Sequence, residues 1–405
     1  MNEAAHAVLL DGVAVGSLLQ RGDVARFVFD DEYWASPDRL VLGLWFEDNP
    51  RTSPSAALRL PPWFSNLLPE GRMREWVARE RGVSAQRELQ LLLHIGSDLP
   101  GAVQVIPDAG DTSRLSSVKA PLPVGDSRAK GAGIWKFSLA GVGMKFSLLR
   151  DGDRLTMPGA NALGDWIVKL PDPVFAQVPE NEYAVMQLAS RVGIQVPQIE
   201  LIHRDALPDI PDVVWPNHET YAFAIRRFDR NEDRRIHIED FTQVRGWYSD
   251  AKYDGSFESV AALAYRGRDH WSLREFVRRF TFNLLVGNGD AHLKNWSLIY
   301  ADGRIPTLSP AYDLVSTGGY YPANSPDSIG LRFHGNRLFS RVTRSGFESL
   351  QGKLGVERAD VLDVVDETID LFFAESDQGG PAELPSFLAE WVRPHAVAMR
   401  RQISS

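Results

Sequence analysis

The chain has 405 residues, of which 44% are apolar and 24% charged, with a formal net charge of −9 and no cysteine. A single hydrophobic core stops growing near roughly 250 to 300 residues, so this length predicts at least two domains of ordinary globular composition. The acidic balance argues against a protein that holds nucleic acid through its overall field. The lack of cysteine excludes disulfides and Cys-ligated zinc or iron–sulfur sites.

The hydropathy pattern argues against a membrane protein. No eighteen apolar residues follow one another. Met1 to Gly12 lacks the basic stretch, apolar run and cleavage site of a secretory signal. We therefore expect a soluble, cytoplasmic protein with no membrane partner.

Residues 1–106 predict a small β-rich N-terminal subdomain. From His6 to Trp34, short apolar runs alternate with the turn signals Asp11-Gly12 and Arg21-Gly22-Asp23, which is typical of antiparallel hairpins. Between Pro61 and Gly82 the apolar spacing becomes helical.

Residues 107–133 predict a linker or surface loop, because Ser, Pro, Gly, Asp and Lys occur there with little apolar periodicity. Residues 134–229 then predict a sheet with one helix packed on it. The expected strands are Ile134 to Leu139, Phe146 to Arg150, Asp165 to Leu170, Val196 to His203 and Tyr221 to Ile225, and the expected helix is Glu180 to Val192.

Residues 230–405 predict a helical lobe. Two apolar stripes have helical spacing. They are Leu273, Phe276, Val277, Phe280 and Leu284, and then Val361, Val365, Ile369 and Phe372. We expect Trp271 to lie in the core with Phe280. A β-rich part followed by a helical lobe predicts an α+β fold with a hinge between the two parts.

The most informative segment is Asn288 to Asn295, Asn-Gly-Asp-Ala-His-Leu-Lys-Asn, which follows the first apolar stripe. A carboxylate at Asp290 and a carboxamide at Asn295 suit phosphoryl transfer, in which the Asp accepts or orients the incoming hydroxyl and the Asn holds Mg²⁺. Asp313 lies beyond a hairpin with an Asp302-Gly303 turn and is the candidate second metal ligand. This order of catalytic Asp, Asn, hairpin and metal Asp is the protein-kinase order.

Upstream residues complete a candidate nucleotide site. A glycine-containing turn, Ser138 to Lys145, lets backbone N–H groups approach phosphates. Lys169 is placed as the lysine that pairs the α- and β-phosphates, with Glu182 or Glu180 as its acidic partner. Arg226 to Phe228 end the last predicted strand of this part, at the expected hinge. We predict that the following residues bind the nucleotide: Ala140, Gly141, Val142, Gly143, Met144, Lys145, Lys169, Arg226, Arg227, Phe228, His292 and Lys294.

Each residue also has a plainer interpretation. Gly141 and Gly143 suit an ordinary hairpin, Lys169 a surface charge, and Phe228 a core position more often than an adenine platform. Asp290 with His292 could instead ligate the metal of a hydrolase, although no further ligand follows at metal spacing. The combination of several elements in kinase order favours the kinase interpretation.

The same residues resemble the HipA family of bacterial toxin kinases, and the resemblance runs over nearly the whole chain. Gly287 to Asn295 is similar to the family's catalytic loop, Pro310 to Leu314 to its metal-binding segment, and Phe137 to Lys145 to its phosphate loop. Phe64 to Gly71 and Ile95 to Val103 resemble the family's N-terminal subdomain.

The resemblance implies a two-lobed, protein-kinase-like fold and a serine/threonine kinase that uses ATP and Mg²⁺. Asp290 would be the catalytic base, Asn295 and Asp313 the metal ligands, and Ser138 the autophosphorylation site, with Ser147 as the alternative acceptor. The implied partners are a helix-turn-helix antitoxin, operator DNA reached mainly through that antitoxin, and a protein substrate such as an aminoacyl-tRNA synthetase.

Two other functional classes remain open from the sequence. A catalytically weak corepressor on an antitoxin–DNA complex would tolerate loss of Lys169, Asp290, Asn295 or Asp313, yet all four are present. A lipid or small-molecule kinase could carry a similar Asp-x-His-x-x-Asn loop, but it would need a membrane-facing surface that the composition does not suggest.

Overall fold

The structure is a computed structural model that contains helices and sheets in about the order the sequence predicts. It describes residues 3–96, 98–107, 144–152, 154–156, 163–207, 210, 215–216, 218–231, 234–321, 328–377 and 384–404. The predicted linker from 108 onward, the strand at 134–139, Ser138 and the turn residues Ala140 to Gly143 lie outside the described residues.

The N-terminal part is a five-stranded antiparallel sheet with short helices. Its strand order is β4-β3-β2-β1-β5, and the turns at Asp11-Gly12 and Gly22-Asp23 join the first three strands as predicted. The strands are β1 Ala4–Leu10, β2 Val13–Arg21, β3 Val24–Phe29, β4 Ser55–Ala57 and β5 Val103–Ile106, and the helices are α1 Asp31–Ala35, α2 Leu44–Asp48, α3 Pro62–Ser65, α4 Gly71–Arg81 and α5 Glu88–Ile95.

A second five-stranded sheet follows, in the order β7-β6-β8-β10-β9, with helix α6 packed against β9 and β10. The helix begins two residues before the predicted start, because Pro179 suits the first turn of a helix. The bounds are β6 Lys145–Asp151, β7 Arg154–Thr156, β8 Trp166–Lys169, α6 Val178–Arg191, β9 Ile199–His203 and β10 Tyr221–Arg226.

The C-terminal part is mainly helical and encloses a small sheet, β13-β14-β15, and two short hairpins. Its strands are β11 Arg230–Asn231, β12 Arg234–Arg235, β13 His237–Asp240, β14 Ser297–Tyr300, β15 Thr307–Leu308, β16 Ser328–Phe333 and β17 Asn336–Leu338. Its helices are α7 Phe241–Arg245, α8 Phe257–Tyr265, α9 His270–Val286, α10 Arg344–Leu354, α11 Leu362–Asp377 and α12 Ser386–Ser404.

Both predicted apolar stripes are buried. All five stripe residues of α9 are at most 1% exposed. The four residues of the second stripe, of which Val361 directly precedes α11 and three lie on it, are at most 2% exposed. Trp271 was wrongly predicted as core: it is 51% exposed. The reason is helical geometry, since Trp271 lies two positions before Leu273 and therefore on the opposite face of α9.

The N-terminal sheet and the second sheet share one apolar core. Trp76 of α4 packs edge-to-face on Phe146 of β6, with ring centroids 5.6 Å apart. A second core gathers the inner face of α6 with helices α8 to α12. The cleft between the two cores is bounded by β8, α6, β10 and the segments around Asp290 and Asp313.

Candidate active site

The segment Asn288 to Asn295 is held in one shape by its own side chains. Gly287 ends α9 with φ +68°, and Asn288 then accepts a hydrogen bond from the Asp290 backbone N–H (3.0 Å). The Asn295 amide donates to the Asp290 carbonyl oxygen (2.8 Å). The loop therefore brings the predicted catalytic Asp and the predicted metal-binding Asn side by side, with the Asp290 side chain exposed to the cleft.

Gly289 allows this loop to lie against the neighbouring backbone. A Cβ there would come 2.5 Å from the Ser328 carbonyl oxygen, so no other residue fits without a shift. The Gly289 N–H donates to Thr317 Oγ1 (2.8 Å), which joins the loop to the segment that follows Asp313.

Asp313 adopts a left-handed backbone conformation, with φ +55°. Non-glycine residues adopt such conformations mainly where the surroundings enforce them, and often at functional sites. The neighbouring Tyr312 supplies part of the enforcement: its hydroxyl donates to the Lys294 carbonyl oxygen (3.0 Å) and accepts from Ser297 Oγ (2.5 Å). Tyr312 thus ties the Asp313 segment to the segment Asn288 to Asn295, a contact that the sequence did not predict.

Lys169 on β8 forms an ion pair with Glu182 of α6 (Nζ to Oε1, 2.6 Å) and a second one with Asp313. Burial alone would lower the pKa of the Lys169 ammonium, but Asp313 and Glu182 outweigh burial and raise it. Burial raises the pKa of Glu182 to about 7, with Lys169 opposing that rise. Glu182, not Glu180, is therefore the partner of Lys169 in the structure.

Asp313 keeps a depressed pKa although burial acts to raise it, because Lys169 and Lys145 both stabilise its charge. Lys145 is itself buried, and burial lowers the pKa of its ammonium to about 8. Met144 and Lys145 both line the cleft, at the end of the predicted phosphate loop.

Phe228, in the predicted hinge, lines the cleft and lies beside the Tyr312 ring, with centroids 5.8 Å apart. The backbone N–H groups of Arg226 and Arg227 already donate to Gln198 and Asp165, and the Arg226 side chain is exposed.

Arg227, predicted to bind the nucleotide, lines the cleft, and that prediction stays untested. Its guanidinium is buried against Asp98 (3.2 Å) and Asp229 (2.7 Å), so it joins the N-terminal part to the hinge. Ser147, the alternative phosphate acceptor, is fully buried and bonded to the same guanidinium (3.2 Å), which leaves it inaccessible.

The Lys294 ammonium also contacts the N-terminal part and Asp240. The ammonium lies 2.9 Å from Asn66 Oδ1, 3.3 Å from Glu70 Oε1 and 3.1 Å from Asp240 Oδ2. Lys294 therefore links the N-terminal part to the segment Asn288 to Asn295, and its contact with a nucleotide stays a prediction. Asn66 and Lys294 are 228 positions apart, so no local sequence pattern predicts their contact.

The His292 side chain is buried, and burial lowers the pKa of its imidazole, which favours the neutral ring. Its Nδ1 has no hydrogen-bond partner among the described residues. The ring lies edge-on to Tyr253, with centroids 5.0 Å apart.

The cleft has a volume of about 970 Å³, within the range of small-molecule and cofactor sites. Residues of the second sheet, the helical part and the N-terminal part all line it, including Lys145, Lys169, Phe228, Asp290 and Asp313. It also takes in Asn66, Glu70, Arg72 and Pro100 from the N-terminal part.

The donor set fits Mg²⁺ that arrives with a nucleotide. Mg²⁺ is usually bound through one or two carboxylates together with phosphates and water, and Asp313 and Asn295 supply one carboxylate and one carboxamide. In the described part of the chain, no three His, Asp or Glu side chains gather as a metal cage. Lys169 and Lys145, which line the same cleft, could supply positive charge to the phosphates of such a nucleotide.

Two family models match the chain, the HipA N-terminal domain over residues 6–106 and the HipA-like C-terminal domain over residues 137–374. The second alone spans more than half of the sequence. The chain belongs to the HipA family. The resemblance drawn from the catalytic loop and the metal segment is thereby confirmed.

Two relatives of this HipA-family chain are named as kinases. "Putative kinase Y4dM" of Sinorhizobium fredii is 39% identical over 361 residues, which cover 86% of this chain and 85% of that protein. "Serine/threonine-protein kinase toxin HipA" of Shewanella oneidensis is 28% identical over 289 residues, which cover 63% of this chain and 62% of that protein.

A solved structure shares the fold of the HipA-family chain. It is a chain of the Shewanella oneidensis MR-1 complex of HipA, HipB and operator DNA, with a TM-score of 0.73 at 20% identity, covering 98% of this chain and 97% of that one. The expected α+β, two-lobed, kinase-like fold is confirmed. In the part of the chain that the structure describes, no helix is long and apolar enough to cross a membrane.

Proposed function

We propose that this chain is a serine/threonine protein kinase and the toxin of a toxin–antitoxin module. The observation that carries the proposal is the arrangement of Lys169, Glu182 and Asp313 in the same cleft as Asp290 and Asn295. Membership of the HipA family and the kinase names of its relatives support the same activity.

In this proposal ATP is the phosphoryl donor, and the acceptor is the hydroxyl of a Ser or Thr. The acceptor oxygen forms a bond to the γ-phosphorus as the bond from that phosphorus to the β,γ-bridging oxygen breaks, and ADP leaves. Asp290 accepts or orients the hydroxyl proton. Lys169 holds the α- and β-phosphates, and Phe228 covers the adenine.

Asn295 and Asp313 are proposed to hold Mg²⁺, which would neutralise phosphate charge. In the structure Asp313 is paired with Lys169. Binding of ATP with Mg²⁺ would therefore require Lys169 to share its charge between Asp313 and the phosphates. Glu182 would keep its ion pair with Lys169 when the nucleotide binds, and so hold the lysine at the cleft wall.

Autophosphorylation on Ser138 is also proposed, and this residue lies outside the described part of the chain. A phosphoserine adds a charge of about −1.5 to −2. Within a loop that binds phosphates, such a group would compete with the phosphates of ATP. The modified enzyme would therefore be inactive.

The proposed partners are a helix-turn-helix antitoxin and, through it, operator DNA. The solved complex of similar fold contains HipA, HipB and operator DNA. The net charge of −9 supports an antitoxin that makes most phosphate contacts. The proposed target is a translation-related protein such as an aminoacyl-tRNA synthetase, and a cytoplasmic location stays a prediction.

The test is incubation of the purified chain with γ-labelled ATP and Mg²⁺, alone and with a bacterial lysate, followed by mass spectrometry of the labelled sites. Asp290→Asn removes the proposed base, Ser138→Ala removes the proposed autophosphorylation site, and Asp302→Asn is the matched control at an exposed turn. We expect label on Ser138 and on a lysate protein in the wild type, and of the three variants only Asp290→Asn should reduce both to a small residual level.

Other outcomes identify the rival functions. Binding to an antitoxin–operator complex without ATP binding or label would favour a corepressor. Label that appears only on lipid vesicles or on a small molecule would favour the lipid or small-molecule kinase.

A further inference from the structure

The carboxylate of Asp290 is not free in the structure, because the hydroxyl of Tyr253 donates a hydrogen bond to its Oδ1 (2.5 Å). Tyr253 precedes α8, in a segment that contains none of the family's catalytic motifs. Among the residues that the structure describes, no other side chain donates to the Asp290 carboxylate. An acceptor hydroxyl must approach this same carboxylate.

Tyr253 is held in place from three sides. Its carbonyl oxygen accepts a hydrogen bond from the Arg337 guanidinium (2.6 Å), and its ring lies edge-on to His292. The preceding Lys252 is tied by its carbonyl oxygen to the Leu293 N–H (3.1 Å) and by its ammonium to Glu70 (3.2 Å). The catalytic loop, the N-terminal part and β17 therefore all contribute to the placement of one phenol.

The phenol is a donor in this contact. Burial and the neighbouring Asp290 charge raise the pKa of Tyr253 far above its ordinary value, so its hydroxyl keeps the proton. A neutral donor to an ionised oxygen forms a strong, charge-assisted hydrogen bond. Such a bond holds a carboxylate in one rotamer.

We propose that Tyr253 is a positioning residue for the catalytic carboxylate. Its hydroxyl engages Oδ1 and turns Oδ2 toward the acceptor hydroxyl, so that Asp290 meets the substrate in a single orientation. This inference rests on the proposed kinase function. It adds a residue outside the known motifs that acts on the acceptor side of the reaction and not on ATP.

The test compares Tyr253→Phe with Tyr248→Phe. Tyr248 is a matched control, since its hydroxyl donates to the Leu60 carbonyl oxygen (3.2 Å) away from the cleft. We would measure single-turnover transfer of label from γ-labelled ATP to the chain itself, the Kd for a fluorescent ATP analogue, and Tm. For Tyr253→Phe we expect transfer at saturating ATP to fall about ten-fold, with Kd and Tm unchanged.

A second comparison separates positioning from packing. If Tyr253 acts through Asp290, then Tyr253→Phe has no further effect in the Asp290→Asn background, as measured on residual transfer. Undiminished transfer in Tyr253→Phe, or the same loss in both backgrounds, would overturn the inference while the kinase proposal stood. A wild type that transfers no label would remove the kinase proposal, and this inference with it.

Discussion

At the scale of single residues, the site depends on a small set of buried and half-buried charges that compensate one another. Lys169 lies between Glu182 and Asp313, and each of the three would be costly to bury alone. The left-handed backbone of Asp313 gives this carboxylate its direction toward the cleft, at a conformational cost of roughly 1–3 kcal/mol.

The first prediction concerns Lys169, which pairs with Asp313, and Glu182, which is the other partner of Lys169. Lys169→Met removes the proposed phosphate ligand and leaves two carboxylates unpaired, so we expect transfer of label from ATP to fall about 100-fold or more. Glu182→Gln keeps a hydrogen-bond acceptor for Lys169, so the expected loss is smaller, about ten-fold. Steady-state transfer assays and ATP titrations measure both effects.

Lys353→Met is the control for this pair, because Lys353 is an exposed lysine 3.9 Å from Glu258 and far from the cleft. Equal activity of Lys169→Met and Lys353→Met would contradict the role given to Lys169.

At the scale of secondary-structure elements, α6 is joined to the segment after Asp313 by a pair of hydrogen bonds. Asn181, in the first turn of α6, donates to the Ser316 carbonyl oxygen (2.8 Å) and accepts from the Ser316 N–H (3.0 Å). Asn181 is next to Glu182 in the chain. The same amide therefore sets the position of the helix that carries Glu182 relative to the segment that carries Asp313.

We predict that Asn181→Ala lowers transfer of label several-fold, because it releases α6 from Ser316. Loss of two buried hydrogen bonds should also lower the free energy of unfolding by about 1–3 kcal/mol. Urea unfolding and transfer assays measure the two effects. Asn49→Ala is the control, since the Asn49 amide caps a local helix (2.9 Å to the Trp45 carbonyl oxygen) outside the cleft.

An Asn181→Ala protein with wild-type activity at reduced stability would show that this contact is structural only.

At the scale of the whole molecule, buried polar groups join the N-terminal part to the rest. Glu239 on β13 is fully buried and accepts hydrogen bonds from the Leu44 N–H (2.9 Å), Trp63 Nε1 (3.1 Å) and the Tyr300 hydroxyl. Burial raises its pKa to about 7, although these three donors oppose the rise. The Glu239 carboxyl, at the contact between the N-terminal and C-terminal parts, is therefore expected to titrate near neutral pH.

This raised pKa gives a pH dependence with a defined sign. Between an unfolded pKa of 4.5 and a folded pKa of about 7, the folded chain keeps a proton on Glu239 that the unfolded chain has lost. Its contribution to stability is fully present below that window and is lost as the pH rises through it. We expect the free energy of unfolding of the wild type, relative to Glu239→Gln, to fall by about 1.4 kcal/mol per pH unit across the window.

Urea unfolding at a series of pH values measures this difference. His237, whose pKa burial lowers to about 4, contributes with the opposite sign but is present in both proteins and cancels. Parallel pH profiles of the wild type and Glu239→Gln would contradict the prediction.

Much of the fold was readable from local pattern. The apolar spacing of α9 and α11, the turn at Asp302-Gly303 and the grouping of Asp290 with Asn295 all depend on residues near one another in the chain. A helix or hairpin of this kind is set by short-range sterics and by which face is apolar. The prediction for Trp271 is wrong because position on the helix, and not aromatic residue type, decides which side chains of α9 face the core.

The partners of those residues required the tertiary structure. Tyr253 and Asp290 are 37 positions apart, Asn181 and Ser316 are 135 apart, and Lys294 and Asn66 are 228 apart. Hydrogen bonds over such separations depend on how whole domains pack, and periodicity carries no information about them. The residues that line the cleft could therefore be identified from the sequence, whereas the long-range hydrogen bonds and ion pairs of Asp290, Lys294 and Arg227 exist only after the N-terminal part and the two lobes have packed together.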